Sequence, residues 1–324
     1  MTGLQNYILR RLVLNVFVLF CVLSIVFALF RLLPATPDNL FVDQGFTREY
    51  IAQLRQQWGL DEPVWVQYGK YIWNMFTFQL GSSFITRLPV ADVLREKLLN
   101  TFAMLLPAVI VATLLGTVFG AWAGWKRGAL VEQLTVTTSL FLRSTPSYFV
   151  GLVFLMVFSY KLGWLPSGGM ITPGVAIDFR DIVASGDFFY HLILPMLVVV
   201  SREITGPIML LRSSMLEVRG SDFLDVLRAK GLSERQIVTH ATRNALLPLI
   251  TDVAIMTAEL FQGQVLIETI FAWPGIGREI VYAVNNLDYP VAQGAFFMIA
   301  LSTLTMNFIA DLLYAVVDPR VRLR

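Results

Sequence analysis

The sequence predicts an all-α integral membrane protein with six transmembrane helices and with both termini on the cytoplasmic side. Three observations predict this class. Hydrophobic residues make up 56% of the 324-residue chain and charged residues only 15%, whereas a soluble domain carries about 25% charged residues. The mean hydropathy is +0.65. The charged residues form clusters that are separated by long apolar stretches.

Six apolar stretches are long enough to cross a bilayer as helices, which takes about 20 residues each. The first is longer than the core of a cleavable signal peptide, so we expect a retained anchor. The fourth is the weakest because Arg202 and Glu203 interrupt it, and such charges pair or face a wet interior. The six stretches are Leu12–Leu33, Thr101–Trp125, Leu134–Tyr160, His191–Leu211, Leu246–Phe271 and Val291–Val317.

The basic residues predict the orientation of these spans. Six spans place all four basic clusters on one side, and the excess of Lys and Arg identifies that side as cytoplasmic. Both termini are then cytoplasmic. The clusters precede span one, follow span two, separate spans four and five, and end the chain: Arg10 and Arg11; Lys126 and Arg127; Arg212, Arg219, Arg228, Lys230, Arg235 and Arg243; Arg320, Arg322 and Arg324.

The spans divide the chain into an N-terminal tail with the first span (1–33), an external loop (34–100) and a core domain (101–324). An apolar stripe predicts one helix in the external loop, and an aromatic stretch predicts an interfacial helix, because Tyr and Trp favour the membrane interface. Two roles are open for that helix. In the first it shields the spans; in the second it is a cap that contacts substrate or an external delivery protein. Pro89 starts the helix of span two. The stripe is Tyr50, Ile51, Leu54 and Trp58, and the aromatic residues are Trp65, Tyr68, Tyr71, Trp73 and Phe76.

The most informative segment is a polar island, Asp222–Thr251, inside an otherwise apolar chain. Lipid excludes such a segment because buried charges and unpaired backbone groups are costly there. Asp222 is predicted to cap a short helix and Gly231 to end it in a left-handed conformation. Ser233 and Gln236 have the spacing of a capping box for a second helix. The internal order indicates a docking element.

The first helix of the island has apolar residues about one turn apart: Phe223, Val226 and Leu227. These residues can insert into a groove on a partner while the surrounding charges ring the contact. The charged residues are Asp222, Asp225, Arg228 and Lys230. The alternative is an ordinary cytoplasmic hairpin whose charges only set the topology.

The island resembles the cytoplasmic EAA-type loop of ABC importer permeases, specifically of the dipeptide/oligopeptide permease family. The matching residues are Asp222-Phe223, Arg228-Ala229-Lys230-Gly231-Leu232, Arg243-Asn244-Ala245-Leu246 and Pro248.

The resemblance continues along nearly the whole chain as an ordered series of short fragments. Before the island these are Gly59-Leu60-Asp61, Pro63, Gln67-Tyr68, Leu80-Gly81-Ser82, Pro89-Val90, Trp164-Leu165-Pro166, His191 and Leu194-Pro195; after it they are Glu268, Phe271, Pro274-Gly275, Gly277, Asp288-Tyr289-Pro290, Asn307, Asp311 and Asp318-Pro319-Arg320. The chain departs from the family pattern at Gln79, Asp225 and Leu227; the last two bear on the fit to a partner.

The resemblance implies a permease subunit in the cell inner membrane that moves peptides from an external binding protein to the cytoplasm. It implies a second homologous permease subunit and two cytoplasmic ATPase subunits, which would bind ATP and Mg²⁺. We also expect contact with membrane lipid and, because the net charge is only +2, none with nucleic acid. The loop 212–245 would carry a coupling helix seated in a groove on an ATPase. The residues assigned to this role are Asp222, Phe223, Arg228, Ala229, Lys230 and Gly231.

Acidic residues in or near the spans are the second group of candidates, because an intramembrane carboxylate is costly and often functional. Asp252, Glu259 and Glu268 are predicted to line a pathway or act in gating, and Asp311 belongs to the same group. The alternative is a structural role, such as pairing with Arg143 or Arg202 or capping a broken helix.

The search for catalytic chemistry is negative. No GxxxxGK[ST], HExxH, GxSxG or CxxC pattern occurs in the sequence, so we expect no catalytic residue and no nucleotide site in this chain. One cysteine and two histidines predict no metal centre and no cofactor. The main alternative function is a secondary transporter driven by an ion gradient, followed by an intramembrane enzyme or a scaffold. Within the ABC class, nickel, glutathione, opines and oligosaccharides remain alternative cargoes.

Overall fold

A computed structural model describes residues 3–32, 47–57, 59, 61–174, 178–246, 248–249, 252–253, 256 and 264–317. Helices and turns account for nearly all of these residues, with one isolated bridge between Ser82 and Pro89. The helices are α1 Gly3–Leu32, α2 Arg48–Gln57, α3 Val64–Phe76, α4 Val90–Trp125, α5 Leu130–Ser144, α6 Ser147–Phe154 with a π-helix Leu155–Lys161, α7 Phe179–Ala184, α8 Gly186–Glu203, α9 Thr205–Arg219, α10 Asp222–Ala229, α11 Glu234–Ala245, α12 Val265–Ile270, α13 Ile276–Asn285 and α14 Tyr289–Val317.

Four helical segments in the described part of the chain are long and apolar enough to cross a membrane, and a bent pair could supply a fifth. They are Asn6–Arg31, Val90–Trp125, Gly186–Arg219 and Tyr289–Ile309. These segments confirm a multi-pass helical protein, and they coincide with the predicted spans one, two, four and six. The predicted span five, Leu246–Phe271, falls largely outside the described residues. The count of six spans and the side of each terminus therefore stay predictions.

The predicted span three is not one straight helix. Helix α5 ends at Ser144, α6 begins at Ser147, and the two helices are bent by 98° at this break. Proline disfavours the helical conformation in the residue before it, and Thr145, which precedes Pro146, has φ −80° and ψ 129°. After the break the helix runs into the π-helix Leu155–Lys161. The prediction of one continuous span over Leu134–Tyr160 is therefore wrong, although Pro146 marks the break in the sequence.

Two compact units make up the fold, and the first consists of Met1–Thr101, Phe261–Val265 and Pro274–Arg324. Its core contains Leu23, Leu94 and Phe297, all buried, from α1, α4 and α14. Helix α1 packs against α14, where Arg11 pairs with Asp311 at 2.9 Å. This pair differs from the predicted alternatives, in which Asp311 pairs with Arg143 or Arg202.

The two helices predicted within residues 34–100 are confirmed as helices. Helix α2 covers the predicted stripe, but the side chains of Tyr50, Ile51 and Leu54 and the whole of Trp58 lie outside the described residues. Helix α3 lies against α1, with the hydroxyl groups of Ser24 and Tyr68 2.7 Å apart. On the other side of α3, Trp65 and Trp73 are exposed. That arrangement suits a helix at an interface, with its buried face on protein.

A buried carboxylate fixes the turn that leads into α4. Asp288 accepts hydrogen bonds from the Ser83 hydroxyl and, at 3.0 Å, from the Phe84 backbone N–H. Helix α4 then begins directly after Pro89, as predicted. Because a buried carboxylate without partners is costly, these two donors stabilise the turn between α3 and α4.

The second unit consists of Phe102–Leu260 and Leu266–Trp273. The predicted turn Leu165–Gly174 is confirmed and packs on α12, where the Gly169 N–H donates to the Phe271 carbonyl at 2.8 Å. The predicted turn at Phe271–Gly277 is confirmed up to Gly275, after which helix α13 begins at Ile276.

Three glycines bring α4 and α9 into close contact within the second unit. A Cβ at Gly116 would lie 2.6 Å from Pro207 Cβ, and one at Gly124 would lie 2.6 Å from Met215 Cβ. Between them, a Cβ at Gly120 would lie 2.7 Å from the Ile208 carbonyl oxygen. Glycines four residues apart share one helix face, and such small residues let membrane helices approach closely. This stripe is not among the features predicted from the sequence.

We predict that Gly120→Ala lowers the stability of the protein while Gly69→Ala does not. The new Cβ at Gly120 must displace backbone of α9, because the nearest atoms are backbone atoms of Ile208. A Cβ at Gly69, in α3, meets nothing within 4 Å, and alanine favours a helix over glycine by about 1 kcal/mol. The thermal unfolding temperature of the purified protein in detergent should fall for the first variant and hold or rise for the second. Equal temperatures would contradict the close packing.

Candidate partner-docking site

The docking element centres on α10, Asp222–Ala229. Ser221 has extended backbone (φ −96°, ψ 150°) and occupies the N-cap position, so Asp222 is the first helical residue. The prediction that Asp222 caps the helix is therefore wrong. The Ser221 hydroxyl donates to the Val218 carbonyl at 2.6 Å, which engages it with the preceding helix. Asp222 and Asp225, both in the first turn, interact favourably with the positive end of the helix dipole.

Gly231 ends α10 in the left-handed conformation that the sequence predicts, with φ +75°. The Leu232 N–H reaches back to the Leu227 carbonyl at 3.3 Å, and the Gly231 N–H donates to the Arg228 carbonyl at 2.9 Å. The bond from Leu232 is the six-to-one contact of a Schellman-type helix end. Leu232 also packs on the apolar cluster below the helix, so the end of α10 is fixed by backbone and side chain together.

The second helix of the hairpin, α11, covers Glu234–Ala245 and begins with the predicted capping box. The Ser233 N–H donates to Gln236 Oε1 at 2.9 Å. Both ends of the four-residue connection between α10 and α11 are thus held by local hydrogen bonds. The hairpin is an ordered element, as the internal pattern of the polar island predicts.

One face of α10 is buried against the protein itself. Leu224 and Leu227 are 0% and 8% exposed and lie in an apolar cluster, here called the hairpin cluster, with Leu211, Met215 and Ile237. The prediction that Leu227 inserts into a partner's groove is therefore wrong. Residues three apart share a helix face, and Leu227 shares its face with the fully buried Leu224.

The opposite face of α10 presents apolar side chains to solvent. Phe223 is 36% and Val226 52% exposed, and Ala229, one turn further along, is also exposed. Asp225 and Arg228 lie beside them and pair at 2.9 Å. We call Phe223, Val226 and Ala229, together with the Asp225–Arg228 pair beside them, the outer face of α10. Apolar residues at helical spacing with flanking charges form the pattern that a partner's groove can accept.

The other predicted docking residues also lie at this surface. Asp222, Lys230 and Gly231 are exposed. The six predicted coupling residues therefore lie on or directly beside one short helix. The two buried leucines on the opposite side of that helix hold it to the protein.

Charged contacts fix the base of the hairpin to α4 and α5. Glu132 of α5 is buried, and its Oε1 accepts from Arg212 Nε at 2.8 Å. Its second oxygen accepts from the Gly128 N–H in the α4–α5 turn. About two turns further along α9, Arg219 donates to the Trp125 carbonyl at 2.8 Å. Arg212 and Arg219, which sequence analysis assigned to topology alone, thus also connect α9 to its neighbours.

Glu132 is a functional candidate that is not among the residues predicted from the sequence. The available signal is its position: it is an acidic residue five places after the basic pair Lys126-Arg127, at the start of an apolar helix. An acidic side chain there requires a cationic partner if it is buried, and the next basic cluster along the chain contains Arg212.

The predicted pathway acids lie at separate places. Asp252 is partly buried, and its Oδ2 has no hydrogen-bond partner among the described residues, although Arg143 lies within electrostatic reach. Glu268, in α12, is fully buried. Glu259 lies outside the described residues. Arg202 pairs with its neighbour Glu203 at 3.5 Å, which explains how these two charges are tolerated within an apolar segment.

These features define a multi-pass helical membrane protein with an ordered, anchored and partly apolar surface helix. Comparison with known proteins assigns its family. The chain belongs to the family described as binding-protein-dependent transport system inner membrane component, whose model matches residues 116–323. A model of the N-terminal part of such membrane components matches residues 4–105. The resemblance that the sequence motifs indicate is thereby confirmed.

Individual relatives match over nearly their full lengths. The chain is 34% identical over 329 residues to a dipeptide transport system permease protein of Alkalihalophilus pseudofirmus, covering 98% of this chain and 99% of the relative. The protein of the same description from Escherichia coli K12 is 34% identical over 334 residues, with 98% of each chain covered. An oligopeptide transport system permease protein of Bacillus subtilis is 32% identical over 317 residues, covering 97% of this chain and 98% of the relative.

Side-chain truncation on the two faces of α10 should change the stability of the protein by very different amounts. Leu224→Ala should lower the free energy of unfolding by about 2–5 kcal/mol, because it leaves a cavity in the hairpin cluster. Val226→Ala, on the outer face, should change it by less than about 0.5 kcal/mol. Thermal unfolding of the two purified variants measures the difference. Comparable losses in both would contradict the assignment of the buried and outer faces.

Proposed function

We propose that this chain is the membrane-spanning subunit of an ATP-driven importer that moves peptides from an external binding protein into the cytoplasm. The observation that carries the proposal is the nearly full-length match to relatives named as dipeptide and oligopeptide transport system permeases. The family description, which names binding-protein-dependent transport, supports an external delivery protein.

The proposed assembly contains a second homologous permease subunit and two cytoplasmic ATPase subunits. ATP and Mg²⁺ are bound by the ATPase subunits, and the present chain is a transport subunit without catalysis of its own. Six spans with both termini in the cytoplasm place the α10–α11 hairpin on the side of the ATPases. The positive charge of the loops between the predicted spans four and five supports that side.

The outer face of α10 is proposed to sit in a groove on one ATPase. Phe223, Val226 and Ala229 supply the apolar contact, and Arg228 and Lys230 supply charge at its edge. Closure of the two ATPases displaces the docked helix. A short helix held at both ends transmits that displacement better than a flexible loop.

Inside the second unit, the displacement has a defined route. Leu224 and Leu227 connect α10 to Leu211 and Met215 of α9 through the hairpin cluster. The Arg212–Glu132 pair connects α9 to α5. Two-state movement of packed helices of this kind is a common form of coupling between distant sites.

Asp252, Glu259 and Glu268 are proposed to line the pathway or to act in gating. Support for Asp252 comes from its partly buried, unpartnered oxygen, because such an atom is costly unless a ligand or water satisfies it in part of the cycle. Glu268 is fully buried, which favours gating or a structural role over direct contact with cargo.

Gly231→Val should uncouple ATP hydrolysis from uptake. A side chain at Gly231 meets nothing within 4 Å, so the effect comes from the left-handed backbone alone, where a β-branched residue costs about 1–3 kcal/mol. In proteoliposomes that contain the whole complex and its binding protein, peptide uptake per ATP hydrolysed should fall by about tenfold. Uptake without any ATPase, driven by an ion gradient, would refute the proposed class.

Two control variants separate coupling from general damage. Gly231→Asn should retain most uptake, because asparagine tolerates the left-handed conformation. Gly163→Val places the same strain at another open turn, since Gly163 has φ +63° and equally free space. It should leave the ratio of uptake to hydrolysis unchanged. If Gly163→Val and Gly231→Val uncouple equally, the role of the hairpin is refuted.

The proposed topology predicts that protease added to intact cells spares a tag at either terminus. Both tags should be cleaved once the membrane is permeabilised. The reason is the placement of the basic clusters at both ends of the chain on the cytoplasmic side. Immunoblotting of the tags gives the measurement, and cleavage of both in intact cells would overturn the orientation.

A further inference from the structure

The first unit contains a polar cavity that neither the spans nor the docking helix accounts for. Its volume is about 420 Å³, and its walls come from the end of α1, from α2 and α3, from the turn that follows α3, and from the start of α14. We call it the α1–α3 cavity. Small-molecule sites in proteins typically measure about 300–1,000 Å³, so the cavity is large enough for a small ligand.

The hydroxyl group of Tyr71 is the most informative feature of the cavity wall. Tyr71 is only 8% exposed, and its hydroxyl has no hydrogen-bond partner among the described residues. The ring packs on Phe27, with centroids 5.5 Å apart. A buried hydroxyl without a partner is unfavourable and rare. A ligand in the cavity would give this hydroxyl a partner.

Burial, with a smaller contribution from Tyr68, raises the pKa of Tyr71. The phenol therefore keeps its proton at any physiological pH. It can donate a hydrogen bond to a carbonyl or carboxylate oxygen and accept one from an N–H group.

A second unpartnered atom lies in the same wall. Oε1 of Glu62 pairs with Lys70 Nζ at 2.7 Å, while Oε2 is buried and has no hydrogen-bond partner among the described residues. A carboxylate oxygen in that position accepts hydrogen bonds and attracts a cation. The cavity thus offers a negative acceptor and a neutral hydroxyl that are both unsatisfied.

The remaining polar residues of the wall give the cavity charges of both signs. Arg31 and Lys70 are cationic, and Asn74, Gln79 and Gln293 add amide groups. A ligand with one ammonium group, one carboxylate and amide bonds between them would match this set. A phospholipid headgroup would also require a path for its acyl chains, which a short peptide does not need.

We propose that the α1–α3 cavity binds a short peptide with free termini. Oε2 of Glu62 accepts from the peptide ammonium group, Arg31 attracts the carboxylate, and Tyr71 donates to a peptide oxygen, while Lys70 stays paired with Oε1 of Glu62. This inference rests on the proposed peptide cargo. It assigns to the first unit a peptide site separate from the acidic residues proposed for the pathway.

The experiment titrates the dipeptide Ala-Phe onto the purified full-length chain in nanodiscs, without binding protein, by calorimetry. Ala-Phe should bind saturably, and N-acetyl-Ala-Phe-amide, which lacks both charges, should bind at least about tenfold more weakly. Tyr71→Phe removes only the hydroxyl and should weaken Ala-Phe binding by about threefold to tenfold, the range expected for one lost hydrogen bond. Glu62→Gln should weaken Ala-Phe binding and leave N-acetyl-Ala-Phe binding unchanged.

Tyr68→Phe is the matched control. Tyr68 lies one turn before Tyr71 on α3, but its hydroxyl is paired with Ser24 and it does not line the cavity. This variant should bind Ala-Phe like the parent protein. Equal affinity of the parent and Tyr71→Phe proteins, or an equal loss in both tyrosine variants, would refute the site.

Uptake of Ala-Phe by the complete ATP-driven complex separates this inference from the proposed function. Uptake by the parent complex together with no measurable binding of Ala-Phe to the full-length chain refutes the cavity site alone. Binding that depends on Tyr71 but is accompanied by no uptake supports the site and refutes the proposed transport of peptides. Binding of glycerol 1-phosphate in place of Ala-Phe would overturn the peptide assignment in favour of a phosphate ligand.

Discussion

The close packing of α4 against α9 is the contact on which the second unit depends. Helices in lipid gain no hydrophobic free energy from contact with each other, so their association rests on close van der Waals packing and interhelical hydrogen bonds. Gly116, Gly120 and Gly124 allow the first of these. Arg212, on the same stretch of α9, adds a charged contact to Glu132 of α5. Helix α10 follows two residues after α9, so the position of the outer face is determined by this packing.

Charged residues have a structural use throughout the protein, beside their use in orientation. Arg11 pairs with Asp311, Arg212 with Glu132 and Arg202 with Glu203. Each pairing lowers the cost of placing a charge in or near an apolar segment. Basic residues counted only for topology would appear interchangeable, whereas these three are tied to particular partners. The α1–α3 cavity departs from this pattern, because the Tyr71 hydroxyl and Oε2 of Glu62 have no hydrogen-bond partner among the described residues.

Local signals made much of the hairpin predictable from sequence. Gly231 and the Ser233–Gln236 capping box depend on a few neighbouring residues, and both were predicted correctly. The face of Leu227 could not be assigned in the same way, because the residues that bury it come from α9 and α11. The break at Pro146 had a local signal, the proline itself. The signal was concealed because the apolar stretch around it is long enough to be one continuous span. The roles of Glu132 and of the glycine stripe depend on contacts between helices distant in sequence. The unpartnered hydroxyl of Tyr71 is a property of the folded wall and has no sequence signature.

The two faces of α10 also bear on the simpler view that the hairpin only sets topology. Orientation requires positive charge and nothing more. Yet α10 is capped at its end, anchored by Leu224 and Leu227, and still leaves Phe223 and Val226 in solvent. Asp225, the departure from the family pattern, pairs with Arg228 of the same helix. An exposed pair of this kind contributes little to stability. A carboxylate on a partner could therefore take the place of Asp225 as the counterion of Arg228 at a small cost in free energy. The departure therefore changes the charge beside the outer face, while the apolar side chains of that face stay exposed.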